Sequence, residues 1–188
     1  MRIAVTGANG FLGMGIVREL MARGHEVTAV DMQCDRVKDA SHTVEANVFD
    51  MEDPYARMGI PDCVLHLAWR DGFRHDSTAH IEDLASHVEL VRKLGASPLK
   101  RLAIMGSMHE VGYFEGGIRS DTPCNPQNMY GIAKNALRQA SQLLLAESGT
   151  ELQWLRGYYI VDNSPYGSSV FSKIYRAAQD GKRTFPFT

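Results

Sequence analysis

The 188-residue chain has few of the features that mark several common protein classes. Its three cysteines form no C-x-x-C pair and its seven histidines no H-E-x-x-H motif, so we expect neither a disulfide framework nor a metal site. The formal net charge of −2 argues against a nucleic-acid partner. No apolar run is long enough to span a bilayer, and no signal peptide is recognisable. These absences predict a cytoplasmic protein without membrane contact.

The sequence instead alternates short β-rich runs with segments of helical periodicity. Glycines mark several of the predicted helix ends, as they do at Gly24 and Gly95. The alternation predicts the α/β class, with a parallel sheet covered by helices on both faces. The predicted strands are Arg2–Thr6, Glu26–Val30, Thr43–Val48, Cys63–Ala68, Arg101–Met105 and Leu152–Leu155. One predicted helix follows Leu12 and a second runs from Ile81 to Val91. A third begins at Pro126, and a fourth lies near Phe171–Ala178.

A glycine-rich turn lies between the first predicted strand and the first helix. Gly7 permits a tight turn, Gly10 lets the backbone approach a pyrophosphate, and Gly13 lets the helix pack on the sheet. The free N–H groups of the helix N-terminus then favour a bound phosphate. The first gap between glycines is one residue longer than in the G-x-G-x-x-G fingerprint. In this strand–turn–helix context the motif predicts a dinucleotide site.

Asp31 ends the second predicted strand, 24 residues after Gly7. A carboxylate at this point accepts hydrogen bonds from the ribose hydroxyls of an adenosine and repels a 2′-phosphate. The sequence therefore favours NAD over NADP as the cofactor, although Arg36 lies near enough in sequence to weaken that preference.

A second group of candidate functional residues consists of Ser107, Tyr130 and Lys134. Tyr130 and Lys134 are four residues apart on a predicted helix, so they project from one face. A nearby ammonium is expected to lower the pKa of the tyrosine and suit it to acid–base chemistry. Ser107 follows a predicted strand at its carboxyl end, where ligands bind in open α/β sheets. Tyr and Lys at this spacing are also ordinary helix-surface neighbours, so the position relative to Ser107 carries the argument.

These residues together resemble the extended short-chain dehydrogenases/reductases, the NAD-dependent epimerase/dehydratase family. The resemblance runs along nearly the whole chain in the expected order. Its motifs are Thr6–Gly13, Asp31, Leu65–Ala68, Ser107, Tyr130–Lys134 and Leu155–Tyr159. It implies a Rossmann-type, doubly wound sheet over residues 1–188 as an NAD-binding domain. Extended members usually continue into a C-terminal substrate lobe, which we expect to be missing or truncated after residue 188.

The resemblance also implies the roles of individual residues. Ser107, Tyr130 and Lys134 are the implied catalytic triad, with Tyr130 and Lys134 also holding the nicotinamide ribose. Asn47 stands where this branch usually places an acid against the adenine. The other implied cofactor contacts are Gly7, Asn9, Gly10, Phe11, Leu12, Gly13, Asp31, Val48, Leu67 and Ala68.

Three reactions on a sugar or nucleotide-sugar are compatible with the residues after Ser107. The first is nucleotide-sugar 4-epimerisation. The second is oxidation of a uronate or other sugar with net NADH release, in which His109 helps to hold a sugar acid. The third is sugar dehydration, with Glu110 as an additional acid. Substrate contacts are expected from Trp69, Ser107, Met108 and His109.

Two further expectations concern partners and activity. Family members commonly dimerise through two helices, which here would be residues 81–94 and 129–145. An interpretation from another class, an NAD-binding module without turnover, stays open because the substrate lobe is expected to be absent. The retained triad argues against that interpretation.

Overall fold

The computed structural model of this protein describes residues 1–160 and 170–186. The chain divides into two compact units, Met1–Arg156 and Gly157–Thr188. The strands are β1 (Arg2–Thr6), β2 (Glu26–Asp31), β3 (His42–Glu45), β4 (Cys63–His66), β5 (Arg101–Ser107) and β6 (Glu151–Gly157). The α-helices are α1 (Phe11–Ala22), α2 (Pro54–Arg57), α3 (Ala79–Glu82), α4 (Leu84–Gly95), α5 (Met129–Leu145) and α6 (Val170–Gln179). Short 3₁₀ helices cover Val48–Asp50 and Met108–Glu110.

The six strands form one sheet in the order β3-β2-β1-β4-β5-β6. The pairings between β3 and β2, β2 and β1, β1 and β4, and β4 and β5 are all parallel. The chain moves outward in one direction from β1 to β3 and in the other from β4 to β6. The order therefore reverses between β1 and β4, and the crevice at such a switch point is where open α/β sheets bind ligands. The predicted doubly wound sheet is confirmed.

Alternating side chains of the strands divide between two hydrophobic cores. On β1, Ile3 and Val5 pack with Met14 and Val17 of α1, whereas Ala4 faces the opposite core. That opposite core contains Leu90, Val91 and Leu94 of α4 with Leu137 and Leu145 of α5. The period of two along a strand accounts for this division. Helices therefore cover both faces of the sheet, as the alternation of elements predicts.

The start of α5 differs from the sequence prediction. Pro126 does not open this helix, which begins at Met129. Asn128 is the N-cap, and its side-chain oxygen accepts a hydrogen bond from the backbone N–H of Gly131 at 2.8 Å. The amide of asparagine satisfies a helix N–H that proline cannot, so the cap rather than the proline sets the boundary.

Other boundaries also move. The helix predicted over residues 81–91 is two helices, α3 and α4, meeting at Asp83. Strand β5 ends at Ser107 rather than at the predicted Met105, and β4 ends at His66 rather than at Ala68. The predicted third strand is shorter at its end, because Val48 belongs to a 3₁₀ helix. Residues 161–169 and 187–188 of the predicted domain lie outside the described residues. Within the described ranges, no helix has the length and apolarity to cross a membrane.

Two buried histidines link β1, β4 and α4. The Nδ1 atom of His66 lies 2.7 Å from the hydroxyl of Thr6, and its Nε2 atom lies 2.9 Å from Nδ1 of His87. Burial lowers the pKa of His66 to about 3 and that of His87 to about 2, because a charged imidazole is poorly solvated there. Both rings are therefore neutral in the folded protein at neutral pH.

We expect these two histidines to make the fold sensitive to acid. Below the unfolded-state pKa of 6.5 the unfolded chain binds protons that the folded chain does not, so stability is lost as pH falls from 6.5 towards 3. His87→Gln keeps a hydrogen-bonding side chain without titration, and should flatten the dependence by up to about 1.4 kcal/mol per pH unit. Urea unfolding at several pH values measures this. The exposed His42→Gln is the control, and equal slopes for His87→Gln and the parent would contradict the assignment.

Candidate active site

The glycine turn after β1 is close-packed and leaves no room for side chains at two of its three glycines. Gly7 has φ of 69°, and a Cβ there would lie 2.6 Å from the backbone nitrogen of Ala68. A Cβ on Gly13 would overlap the carbonyl oxygens of Gly7 and Ala8. Gly10 is the N-cap of α1 and supplies no side-chain cap to the helix. The first-turn N–H groups of α1 are thus offered to a ligand, as the sequence motif predicts.

Asp31 closes the other side of this turn. One carboxylate oxygen accepts from the backbone N–H of Asn9 at 2.9 Å, and the other from the N–H of Met32 at 2.8 Å. The side chain of Asn9 in turn donates to Asp35 and accepts from the backbone N–H of Arg36. This set of bonds joins the glycine turn to the segment after β2. Each oxygen of Asp31 retains a lone pair for a ribose hydroxyl.

A cleft of about 520 Å³ lies over these residues. It includes the predicted cofactor residues Gly7, Gly10, Asp31, Asn47, Val48, Leu67 and Ala68, and the predicted substrate residue Trp69. Asn9, Phe11, Leu12 and Gly13 build the turn beside the cleft but are not among its lining residues. The predicted cofactor residues Tyr130 and Lys134 do not line it either. The lining residues that the sequence did not indicate are Val30, Met32, Ala46, Phe49, Arg70 and Asp83.

The cleft fits an NAD molecule better than one with a 2′-phosphate. The glycine backbone provides a cradle that a Cβ would fill, and Asp31 presents a carboxylate at the ribose position. Arg70 is the single cation among the described lining residues, and it forms a bidentate ion pair with Asp83 at 2.8 and 2.9 Å. Asn47 uses its side chain as the N-cap of the first 3₁₀ helix, accepting from the N–H of Phe49.

Ser107 is positioned at the end of β5 by a buried acid. The carboxylate of Glu110, fully buried, accepts from the backbone N–H of Ser107, and the Ser107 hydroxyl accepts from the N–H of His109. Further Glu110 contacts come from Nε1 of Trp154 at 2.9 Å, Nε of Arg156 at 3.2 Å and Nε of Arg138 at 3.8 Å. These contacts engage the carboxylate of Glu110 away from solvent.

Tyr130 lies on the first turn of α5 beside Ser107. Its backbone N–H donates to the carbonyl of His75 at 2.8 Å, which ties the helix start to the segment after β4. Burial raises the pKa of the phenol above its usual value, and a hydrogen bond with Ser107 opposes that rise. The expectation of a lowered pKa is therefore wrong for this arrangement. Nζ of Lys134 lies 5.8 Å from the ring centre, and the loss of solvent at the phenol is the main cause of the raised pKa.

Lys134 is buried beneath the tyrosine, with only 2% of its surface exposed. Its Nζ donates to the carbonyl oxygen of Met105 at 2.7 Å and lies 3.7 Å from the centre of the Trp69 ring. Burial lowers the pKa of Lys134 to about 7. Trp69 also contacts the ring of Tyr130, and its Nε1 donates to Nδ1 of His80 at 3.0 Å. Because Trp69 lines the cleft, the triad borders the cofactor site.

Two histidines stand on the other side of Tyr130. The ring centres of His75 and His109 are 4.0 Å apart, and lie 5.5 and 5.7 Å from that of Tyr130. Asn128 contacts His109, with 3.1 Å between the amide nitrogen and Nδ1. Met108 lies in the same 3₁₀ helix and is half-buried. His75 thus lies against the ring of Tyr130.

The structure thus brings Ser107, Tyr130, Lys134, Trp69 and His109 together. Sequence reasoning missed the orienting roles of Asn128, His80 and Glu110. Asn128 carried a recognisable signal as a cap residue before a helical run, and Glu110 carried one as the acid of a Ser-x-x-Glu capping box with Ser107. In the described parts of the chain, no cluster of three or more His, Cys, Asp or Glu side chains is placed to hold a metal ion.

Comparison with known proteins gives one family. The sequence model of the NAD dependent epimerase/dehydratase family matches residues 3–187. A dTDP-6-deoxy-L-talose 4-dehydrogenase (NAD(+)) of Aggregatibacter actinomycetemcomitans is 37% identical over 194 residues, covering 99% of this chain and 71% of that protein. Both matches therefore extend over nearly the whole of this chain.

Solved structures show the same fold at lower identity. The UDP-glucose 4-epimerase of Thermotoga maritima, solved with UDP-glucose, has a TM-score of 0.81 at 21% identity, covering all of this chain and 66% of its own. The UDP-glucose 4-epimerase of Thermus thermophilus, solved with NAD, has a TM-score of 0.72 at 23% identity, covering 89% of this chain and 59% of its own. This chain therefore spans about three fifths to two thirds of these structures.

The two glycines of α1 provide a matched test of the turn. Gly13→Ala places a methyl group against the backbone oxygens of Gly7 and Ala8 and should destabilise the fold by about 1–3 kcal/mol or more, with loss of NAD affinity. Gly15 has no neighbour within 4 Å of an added Cβ, so Gly15→Ala should stabilise by up to about 1 kcal/mol. Urea unfolding and calorimetric NAD binding measure both, and equal effects of the two variants would contradict the close packing at Gly13.

A second test concerns the ring beneath Lys134. Trp69→Leu removes the aromatic face that stabilises the ammonium and should lower the pKa of Lys134 by about 0.5–1 pH unit, whereas Trp69→Phe should retain most of the effect. The ¹³Cε signal of Lys134, assigned with Lys134→Met, reports the titration by NMR. An unchanged or raised pKa in Trp69→Leu would show that the ring does not stabilise the charge.

Proposed function

This chain belongs to the NAD-dependent epimerase/dehydratase family and is an enzyme of the short-chain dehydrogenase/reductase type with NAD as cofactor, and from that premise we propose that it oxidises a ring hydroxyl of a nucleotide-linked sugar. The observation that carries the proposal is the position of Tyr130, with Ser107 at its phenol and Lys134 beneath it, at the border of the cofactor cleft. The substrate class rests on the relatives, which are named for dTDP- and UDP-linked hexoses.

In this proposal each triad residue has a separate task. The hydroxyl of Ser107 binds the sugar oxygen at the end of β5, while Tyr130 exchanges a proton with that oxygen. Burial keeps the phenol protonated at neutral pH, so Tyr130 can donate a proton to the sugar oxygen when the sugar is reduced. When the sugar is oxidised, Tyr130 must first lose that proton. Lys134, buried and near neutrality in its pKa, supplies a charge next to that proton transfer. When bound, NAD supplies the hydride acceptor.

The 37% identical relative favours a 4-dehydrogenase with net NADH formation. A 4-epimerase, the first expectation from the sequence, is the second candidate, because the same proton transfer at carbon 4 begins both reactions. The overlap with Thermotoga maritima epimerase supports only the fold at 21% identity. A uronate substrate is the remaining alternative.

A homodimer also stays a proposal. Ile81 of α3 and Ile132 and Leu143 of α5 expose 43%, 42% and 81% of their surfaces. Apolar side chains on these helices support the predicted contact through residues 81–94 and 129–145. A cytoplasmic location likewise remains a prediction from the sequence.

The first experiment mixes the chain with NAD and dTDP-6-deoxy-L-talose and follows NADH absorbance, with chromatography of the products. Steady NADH formation is expected for a dehydrogenase, and a C4-inverted sugar without net NADH identifies an epimerase. Tyr130→Phe should slow turnover by about 10²–10⁴-fold and leave the NAD dissociation constant nearly unchanged. NAD binding with no turnover of dTDP-sugars, UDP-sugars or free uronates would contradict the proposal.

A further inference from the structure

The side chain of Asn128 makes two contacts that together fix its orientation. Its Oδ1 accepts from the backbone N–H of Gly131 at 2.8 Å, as the cap of α5. That bond assigns the oxygen to the helix and leaves the amide Nδ2 facing Nδ1 of His109 at 3.1 Å. An amide nitrogen donates and does not accept. Nδ1 of His109 must therefore present its lone pair to Asn128.

This contact determines which nitrogen of His109 carries the proton. A neutral imidazole has one N–H and one lone pair, so a lone pair at Nδ1 places the hydrogen on Nε2. Protonating the ring would put an N–H at Nδ1 and break the bond to Asn128. Partial burial and the neighbouring His75 also lower the pKa of His109. Within residues 1–160 and 170–186, no acceptor for the Nε2–H is found.

The groups around His109 favour an uncharged ligand. His75 faces it from the segment after β4 and Tyr130 from α5, with ring centres 4.0 and 5.7 Å away. A positive charge on either histidine disfavours one on the other, so the pair supplies no fixed cation for a carboxylate. Glu110, in the same 3₁₀ helix, is buried against Trp154 and Arg156.

We propose that Asn128 holds His109 in the Nε2–H form, and that this N–H donates to an uncharged oxygen of the sugar beside Tyr130. The proposal rests on the proposed function for its substrate class and sharpens it. The site then takes a hexose with hydroxyl or carbonyl oxygens at this position in preference to a sugar acid. It assigns Asn128 a second task besides capping a helix, that of a positioning residue acting through His109.

Histidine-ring ¹H–¹⁵N NMR tests the proton position without any substrate. The His109 signals, assigned with His109→Gln, should show a bare Nδ1 and a protonated Nε2 at neutral pH. Asn128→Asp keeps an oxygen for the Gly131 N–H but replaces the donor with an acceptor, and should move a proton onto Nδ1. Asn128→Ser keeps the cap without reaching His109 and should give a mixture of both forms. A protonated Nδ1 in the parent, or an unchanged pattern in Asn128→Asp, would overturn the proposal.

Calorimetric binding tests the sugar contact separately from turnover. In a Tyr130→Phe background with NAD present, His109→Asn should weaken binding of a dTDP-linked 6-deoxyhexose by about tenfold, the loss of one hydrogen bond of about 1.4 kcal/mol. His109→Gln, which keeps a donor near the Nε2 position, should retain most of the affinity, and a nucleotide-linked uronate should bind more weakly than the neutral sugar. Equal binding by both His109 variants, or tighter uronate binding, would overturn the sugar contact. Absence of turnover in the unmutated chain would instead count against the proposed function.

Discussion

The buried carboxylate of Glu110 is the contact on which the arrangement of the site depends. Burying an acid is unfavourable unless its oxygens are hydrogen-bonded and its charge is paired. Here Ser107, Trp154 and Arg156 supply those bonds, from the end of β5 and from β6. A Cβ on Gly106 would overlap Trp154, so the backbone beside Ser107 passes close to that indole. The serine that faces Tyr130 is therefore held through its backbone N–H by a buried carboxylate.

Hydrogen bonds also orient the residues around the triad. Trp69 lies under Lys134 and is tied by its indole N–H to His80, whose Nε2 lies 2.9 Å from the carbonyl of Arg74. This carbonyl acceptor places the proton of His80 on Nε2 and leaves Nδ1 free for the tryptophan. The hydrogen bonds of His80 and His109 thus each assign a tautomer. The carbonyl of Arg74 sets the tautomer of His80, and the helix N–H of Gly131 sets that of His109 through Asn128.

The sequence predicted the sheet, the glycine turn and the triad because these depend on local patterns. Gly7, Gly13 and Asp31 are recognisable from spacing alone, and strand β1 has the predicted bounds. The roles of His80 and Asn128 arise from contacts across 11 and 19 residues of sequence, and the bond from Trp154 to Glu110 spans 44 residues. No periodicity in the sequence records such contacts. The pKa of Tyr130 was mispredicted for the same reason. Spacing places Lys134 nearby, but only the folded chain shows how much solvent the phenol loses.

The cofactor cleft also affects the stability of the folded chain. Its walls come from the β1–β2–β3 side of the sheet, through Gly7, Asp31 and Asn47, and from the β4 side, through Ala68 and Arg70. Neither side alone presents the whole cleft, so a dinucleotide binds only where both have assembled. Ligand at a hundredfold excess over its dissociation constant adds about 2.7 kcal/mol to the folded state by mass action. Bound dinucleotide therefore lowers the fraction of this chain that is unfolded at equilibrium.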